Sequence, residues 1–82
     1  MALDCERILT AKGESLARIS IVNYYGNIVF DTLLKPTSEV YDYREKITGI
    51  KPLDLKNAPT YSKVAPIVIF NLTHIVVEEG VE

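Results

Sequence analysis

The chain has 82 residues, of which 48% are hydrophobic, and a formal net charge of −2 at pH 7. This length allows one small domain at most, and the hydrophobic fraction argues against a disordered chain. The slightly acidic balance lacks the basic character of simple nucleic-acid-binding domains, although a metal-dependent nuclease would gain positive charge from its bound cations. The longest apolar run, residues 64–70, is far shorter than the roughly 20 residues that span a bilayer, so no membrane partner is expected.

The sequence gives no sign of a secretory signal peptide, because a charged segment followed by an apolar segment is missing before the first predicted strand. Cys5 is the only cysteine, so no internal disulfide can form, and Cys5 is predicted to be a reduced core residue. Both observations favour an intracellular protein that is not secreted.

An Asp-x-Glu pattern stands in the first predicted strand. Side chains alternate between the two faces of a strand, so Asp4 and Glu6 share one face. Leu3 and Cys5 point the other way, toward the expected core. Two neighbouring carboxylates repel each other unless positive charge lies between them, and a divalent metal ion commonly supplies that charge. The alternative is a half-exposed strand whose polar face is simply acidic, and the pattern alone does not decide between the two.

Two further strands follow the first and complete a meander. Residues 16–23 alternate between apolar and polar side chains, as in a half-buried strand, with Arg18 and Ser20 on the polar face. The apolar face of this strand comprises Ala17, Ile19 and Ile21. Gly26 provides a hairpin turn, and residues 28–34 form the third strand. The sequence up to this point therefore predicts a three-stranded antiparallel meander.

Short helices are predicted after the meander. Asp42 and Glu45 have the spacing of a capping box, and Gly49 stands at a helix C-cap position. A short helix is therefore expected over residues 43–48. Proline at a first helical position favours one further helical turn over residues 52–55.

The last part of the chain combines helix and strand signals. Thr60 can cap a longer helix that starts at Tyr61, but Pro66 is expected to kink or end it, at a cost of about 3 kcal/mol. Residues 75–77, Ile-Val-Val, predict a short buried strand. The order β-β-β-α-β indicates an α/β fold in which a helical crossover places the last strand beside the first and parallel to it. The first strand would then be interior, and its carboxylates would lie in a cleft.

Five separated blocks of the sequence resemble one family of nucleases. The blocks are residues 2–6 (ALDCE), 14–23 (ESLARISIVN), Gly26 with 35–36 (KP), 42–44 (DYR) and 48–52 (TGIKP). Over residues 2–60 the chain is similar to the opening of the DEDD-type 3′–5′ exonucleases that use a histidine general base (DEDDh). Within them it resembles the RNA exonuclease 4 branch, which contains the interferon-stimulated exonuclease. The resemblance implies the N-terminal portion of a ribonuclease H-like fold.

The resemblance also implies a chemistry and a set of site residues. Two Mg²⁺ or Mn²⁺ ions would serve the hydrolysis of phosphodiester bonds, in RNA rather than DNA. By family position, Asp4 bridges the two metals, and Glu6 completes the first metal site and helps to hold the attacking water. Thr48, Gly49 and Ile50 would bind the terminal nucleotide of the substrate, although a helix C-cap with an apolar side chain in the core explains the same residues. The family further implies ribosomal RNA processing in the nucleus or nucleolus.

The sequence departs from the family pattern in three respects. Arg7 stands where the family usually has methionine, and it either contacts a substrate phosphate or lies exposed in solvent. His74 is the only histidine, and its position before the last predicted strand indicates a surface residue and not the general base. The later acidic motifs are missing. Residues 1–82 are therefore expected to form an incomplete exonuclease domain that is inactive by itself.

Two alternatives to a family enzyme remain open. One is a truncated, non-catalytic product that binds nucleic acid or protein weakly, and the other is a gene-model fragment without independent function. An incomplete sheet would expose apolar surface and an unpaired strand edge, which predicts aggregation or the need for a partner. No particular oligomeric state is predicted.

Overall fold

A computed structural model describes the backbone of residues 2–81 and the side chains of residues 2–73, and in this part the chain forms one four-stranded antiparallel sheet and three helices. The strands are β1 (Ala2–Thr10), β2 (Gly13–Val22), β3 (Ile28–Leu33) and β4 (Val40–Asp42). The helices are α1 (Glu45–Thr48), α2 (Pro52–Leu55) and α3 (Tyr61–Val81). The order of strands across the sheet is β3-β2-β1-β4. The predicted α/β class is confirmed.

The first three strands form the predicted antiparallel meander. β1 pairs with β2 so that Asp4 lies opposite Ser20 and Glu6 lies opposite Arg18. β2 pairs with β3 so that Ser20 in turn lies opposite Asp31. Because paired residues share a face, the side chains of Asp4, Ser20 and Asp31 lie on the same face of the three strands.

The turn between β2 and β3 is held by one side chain. Asn23 Oδ1 accepts hydrogen bonds from the backbone N–H groups of Tyr25 and Asn27, both at 2.9 Å. Gly26 has a φ of 84°, a left-handed conformation that glycine adopts without strain. The predicted hairpin turn is confirmed. Beyond it, the β2–β3 pairing shifts register between Ile21 and Val22.

The sheet packs against different helices on its two faces. α3 covers one face, in a cluster whose buried residues are Ile19, Ile21, Leu34, Val64 and Val68. α2 and the segment before it cover one end of the other face, in a second cluster whose buried residues are Ile8, Ala17, Ile50 and Leu55. Each fully buried Ile or Leu side chain contributes about 1.5–3 kcal/mol of transfer free energy. Two small cores therefore hold the sheet between α3 and α2.

One irregularity between β1 and β2 decides which residues enter which core. Glu6 lies opposite Arg18, but the next residue of β1 lies opposite Leu16, so Ala17 is an extra residue in β2. This β-bulge shifts the alternation of side chains along β2 by one residue. Ala17 therefore packs in the second cluster and not with the isoleucines of β2. The prediction that it shares their face is wrong, because strict alternation does not allow for a bulge.

α1 and α2 lie close to their predicted positions. α1 ends at Gly49, whose φ of 72° and N–H bond to the Glu45 carbonyl form the predicted C-cap. The helix begins at Glu45 and not two residues earlier. Asp42 Oδ1 accepts the N–H of Arg44 at 2.8 Å, and Arg44 has a positive φ of 50°. Asp42 thus stabilises a turn ahead of the helix in place of the predicted capping box.

α3 begins at Tyr61, as predicted, but it continues past Pro66 and includes residues 75–77. Val64 and Val68 are buried one turn apart, and the exposed Pro66 lies between them, so their packing offsets the hydrogen bond that proline removes. The helix does not end at Pro66, and the strand predicted at residues 75–77 is wrong. β-branched residues cost about 0.7 kcal/mol or less each in a helix, so a helix that has already formed extends through them. In the described part of the chain, none of the helices has both the length and the apolar character needed to cross a membrane.

β1 is an interior strand, as predicted, but its second neighbour differs from the prediction. β4 pairs with β1 in the antiparallel direction, and only at Leu9 and Thr10. The expected parallel neighbour does not form, because its residues lie in α3. Among the described residues, no strand pairs with this edge of β1 over residues 2–8. The acidic pair therefore lies on a stretch of β1 that is paired on one side only.

We predict that Pro66→Ala stabilises the chain by up to about 3 kcal/mol, because it restores a backbone donor in the interior of α3. Pro66 is exposed, so the change removes no core packing. Urea unfolding followed by circular dichroism measures the free energy of unfolding. The matched control is Ile67→Ala at the next position, which is 46% exposed and should change the free energy by less than about 0.5 kcal/mol. A loss of stability in Pro66→Ala would contradict a helix that runs through this position.

Candidate functional site

Asp4 and Glu6 project from the same face of β1. Their Cα atoms are about 7 Å apart, since a strand rises about 3.4 Å per residue. Asp4 is exposed and Glu6 is half-buried. Among the side chains of residues 2–73, neither carboxylate takes part in a hydrogen bond or an ion pair. Both carboxylates are therefore accessible to a cation.

A third carboxylate and an arginine share this face of the sheet. Arg18 lies directly opposite Glu6, and Asp31 lies one strand further on, in the row of Asp4 and Ser20. The Arg18 guanidinium bonds to Asp31, with Nε donating to Oδ1 at 2.9 Å and Nη2 donating to Oδ2 at 2.6 Å. Two parallel bonds of this kind fix the plane of the guanidinium as well as its position.

The Arg18–Asp31 pair changes the titration of both groups. The hydrogen bond to Asp31 and the charge of Asp31 raise the pKa of Arg18, and the charges of Glu6 and Asp4 add to this more weakly. The hydrogen bond from Arg18 lowers the pKa of Asp31. Desolvation by burial opposes this effect, and the charge of Arg18 adds to it. The side chains of the pair are 44% and 28% exposed, so solvent screening limits its contribution to stability to about 1 kcal/mol or less. Its main effect is therefore to fix the position of the guanidinium.

A cavity of about 300 Å³ opens beside this pair. Its lining residues are Arg18, Asp31, Thr32, Leu33, Thr48, Gly49, Ile50 and Asp54. The Thr48 hydroxyl donates to the Tyr43 carbonyl and accepts from the N–H of Ile50, both at 3.0 Å. These two bonds fix the shape of the loop that follows α1. The cavity thus joins the loop at residues 48–50 to the face of the sheet that carries the acidic pair.

Arg7 and Ile50 are placed differently from the other predicted site residues. Arg7 is exposed, but alternation along β1 puts it on the face opposite to Asp4 and Glu6. Ile50 is only 3% exposed and packs with Ile8 in the second core, while part of it reaches the cavity wall. The structure therefore brings the loop at 48–50 to the acidic face and does not bring Arg7 there.

The donor set of β1 fits a hard divalent cation. Mg²⁺ and Mn²⁺ prefer oxygen ligands, and the carboxylates of Asp4 and Glu6 have lone pairs that no described residue engages. Within the described side chains, no group of three His, Cys, Asp or Glu residues is arranged to hold a metal ion. Asp4 and Glu6 therefore account for only part of the near-octahedral ligand set that such a cation requires.

Arg18 and Asp31 belong to this face but were not among the predicted site residues. Alternation places Arg18 on the polar face of β2, but its partner on β3 depends on the register of the hairpin. That register follows from the length and geometry of the turn. The pairing is also irregular next to the turn, between Ile21 and Val22, so regular counting from the turn does not bring Asp31 to the face of Arg18.

Comparison with known proteins gives one family. The sequence matches a family model described as exonuclease over residues 2–77. RNA exonuclease 4 of Mycosarcoma maydis is 43% identical over 67 residues, which cover 78% of this chain and 18% of that protein. RNA exonuclease 4 of Saccharomyces cerevisiae is 44% identical over 66 residues, 77% of this chain and 23% of that protein. RNA exonuclease 4 of Homo sapiens is 51% identical over 59 residues, 68% of this chain and 14% of that protein.

These matches define the class of protein. The model of the family covers nearly all of the chain, and the chain therefore belongs to the exonuclease family, whose members are nucleases and hence hydrolases. The antiparallel meander with β1 inside the sheet is consistent with part of a ribonuclease H-like exonuclease fold. The predicted resemblance is thus confirmed at the level of the family. The chain spans between 14% and 23% of the length of the three relatives described above.

The Arg18–Asp31 pair predicts a pH dependence of stability. The pKa of Asp31 is lower in the folded chain than its ordinary value of about 3.9. The pair therefore stabilises the fold above that ordinary value, and this stabilisation is lost as the pH falls through the lower folded-state value. We expect Asp31→Asn to reduce the free energy of unfolding by about 0.2–1 kcal/mol at pH 7 and by almost nothing near pH 2.

Urea unfolding of both proteins between pH 2 and pH 7 measures this difference. Glu39→Gln removes the charge of an exposed carboxylate outside the pair and serves as the control. A difference between wild type and Asp31→Asn that stays constant down to pH 2 would show that the ion pair does not contribute.

Proposed function

We propose that the chain carries the first acidic strand of a metal-dependent 3′–5′ exonuclease that acts on RNA. One observation carries the proposal: Asp4 and Glu6 share one face of an interior strand and form no hydrogen bond or ion pair with a described residue, and Arg18 and Asp31 line the cavity at the loop 48–50 from that same face. Membership of the exonuclease family supports the hydrolysis of nucleic acid. The related proteins described above are RNA exonucleases by name, which supports RNA rather than DNA as the substrate.

Each residue of the acidic face has a role in this proposal. Asp4 is the more exposed of the two acids and would bind both of two Mg²⁺ or Mn²⁺ ions, while Glu6 would bind one of them and accept a hydrogen bond from the attacking water. When bound, such ions stabilise charge on the phosphate and lower the pKa of water. Thr48 and Gly49 would hold the terminal nucleotide in the cavity, and the core position of Ile50 would support their loop.

Arg7 has no proposed role at the acidic face. It is exposed on the opposite face of β1, which favours the solvent-exposed alternative over contact with the phosphate at the site.

We further propose that the chain does not hydrolyse RNA by itself. The acids of β1 supply part of a ligand set, and no group of three suitable side chains is arranged to hold a metal ion among residues 2–73. Catalysis needs ligands held in a fixed geometry, and two carboxylates on one strand do not fix a metal pair. The chain would thus correspond to an incomplete exonuclease domain. Ribosomal RNA processing in the nucleus or nucleolus is the setting that the family resemblance suggests.

A second candidate is a non-catalytic piece that binds nucleic acid or another protein weakly. The edge of β1 that no described strand pairs with over residues 2–8 favours this candidate, because such an edge can accept an extended chain. The metal-binding and nuclease experiments below separate the two candidates. A piece that only binds partners would not need Asp4 and Glu6 to bind a metal ion.

We predict that Mn²⁺ broadens the NMR signals of residues near Asp4 and Glu6, and that either Asp4→Asn or Glu6→Gln weakens the apparent affinity at least about tenfold. Each substitution removes one carboxylate ligand and leaves the backbone unchanged. Glu39→Gln is the control, because it removes a negative charge from an exposed residue that lies just before β4. Equal broadening in all four proteins would indicate non-specific binding and would refute the metal site.

We predict that residues 2–60 function as the opening segment of an RNA exonuclease. The experiment replaces the matching segment of the Saccharomyces cerevisiae protein, which is 44% identical over 66 residues. The chimera should degrade single-stranded RNA, and Asp4→Asn should reduce the rate by at least about a hundredfold, as expected for the loss of several kcal/mol of metal-derived stabilisation.

The 82-residue chain serves as the comparison and should be inactive. If Asp4→Asn left the rate of RNA degradation by the chimera unchanged, Asp4 would not have the proposed role. Hydrolysis by the 82-residue chain, lost on Asp4→Asn, would disprove its proposed inactivity.

A further inference from the structure

We infer that Asp31 is a positioning residue: it anchors the Arg18 guanidinium away from Glu6 and so leaves the acidic pair of β1 free to bind a divalent cation. The inference rests on the proposed function of Asp4 and Glu6. It extends that function to a residue on a different strand, which would not itself touch the metal or the substrate.

The register of the sheet gives Arg18 two possible partners. Arg18 lies directly opposite Glu6 on β1. In an antiparallel pair, directly opposite Cβ atoms are about 4.5–5.5 Å apart, so opposite charges at such positions usually interact. Yet no hydrogen bond or ion pair joins Arg18 to Glu6, and the guanidinium turns to the other neighbouring strand. A group on β3 must therefore bind the guanidinium more strongly than Glu6 does.

Asp31 provides that competing interaction. Its position is diagonal to Arg18, because the residue of β3 directly opposite Arg18 is Leu33. Asp31 nevertheless receives two bonds, at 2.9 Å to Oδ1 and at 2.6 Å to Oδ2. A bidentate pair of this kind is geometrically more specific than a single contact, which explains why the guanidinium stays on the β3 side.

Loss of Asp31 would leave Glu6 and Asp4 as the carboxylates whose charges act on Arg18. The charges of Glu6 and Asp4 already act on Arg18 across the sheet. A guanidinium bonded to Glu6 would occupy carboxylate oxygens that a metal ion needs, and its positive charge would repel the ion. Asp31 thus protects a metal site by holding a competing cation elsewhere.

The first experiment identifies the partner of Arg18 without any metal. Hydrogen-bond NMR couplings between the guanidinium nitrogens and carboxylate carbons distinguish Asp31, whose carboxylate carbon is Cγ, from Glu6, whose carboxylate carbon is Cδ. We expect coupling to Asp31 in the wild-type chain and coupling to Glu6 in Asp31→Ala. A wild-type guanidinium bonded to Glu6, or an Asp31→Ala guanidinium with no bond to Glu6, would overturn the inference.

The second experiment measures Mn²⁺ binding by the 82-residue chain. Asp31→Ala should weaken the apparent affinity about tenfold, the lower end of the effect of outer-shell substitutions. Asp31→Glu should retain most of the affinity, and the double variant Arg18→Gln with Asp31→Ala should restore it, because the competing cation is then absent. Glu39→Ala removes the same charge from an exposed residue outside this face and controls for the general loss of attraction.

The double variant also distinguishes positioning from folding. If Asp31→Ala only destabilised the sheet, adding Arg18→Gln would not restore the affinity, and that result would overturn the inference. If the guanidinium moves to Glu6 as expected but Mn²⁺ binding by the wild-type chain does not depend on Glu6, the positioning is correct and the proposed metal function fails. The two failures are therefore separable.

Discussion

The arrangement of this chain depends on one extra residue in β2. Because Ala17 is a bulge, Leu16 and Ile19 both face α3, whereas Ala17 itself faces the second core with Ile8. Without that shift, one half of the strand would present its apolar side chains to the wrong face of the sheet. The division of apolar side chains between the two small cores follows from this local change in register.

The polar face combines groups that are individually of little value to stability. The ion pair between Arg18 and Asp31 is too exposed to contribute much, and the carboxylates of Asp4 and Glu6 have no partner among the described residues. Bulges and unpaired like charges are features that stability alone does not favour, and they concentrate at functional sites. Such a face is consistent with a functional site, and the chain belongs to a nuclease family.

Much of the fold could be predicted from local patterns. The meander, the C-cap at Gly49 and the start of α3 at Tyr61 each follow from alternation, glycine conformation or capping, which act over a few residues. The wrong predictions concern features that depend on contacts between residues far apart in the sequence. Residues 75–77 favour a strand by their composition, but they lie in α3, whose buried residues Val64 and Val68 pack in the first core. No local feature of the sequence marks the bulge at Ala17. The acidic pair was visible because it is contiguous, but the link between Arg18 and Asp31 depends on a hairpin register that sequence alternation does not give.

The one-sided pairing of β1 has a consequence for solubility. Over residues 2–8 this strand offers backbone donors and acceptors that no described strand uses, and such an edge can recruit a second copy into a growing sheet. Asp4 and Glu6 lie within this stretch, so two approaching edges bring four negative charges together. The same carboxylates that suit a metal ion thus act as gatekeepers against self-association. Replacing them with neutral residues would remove that protection, so the solubility of the chain depends on the negative charge of this strand.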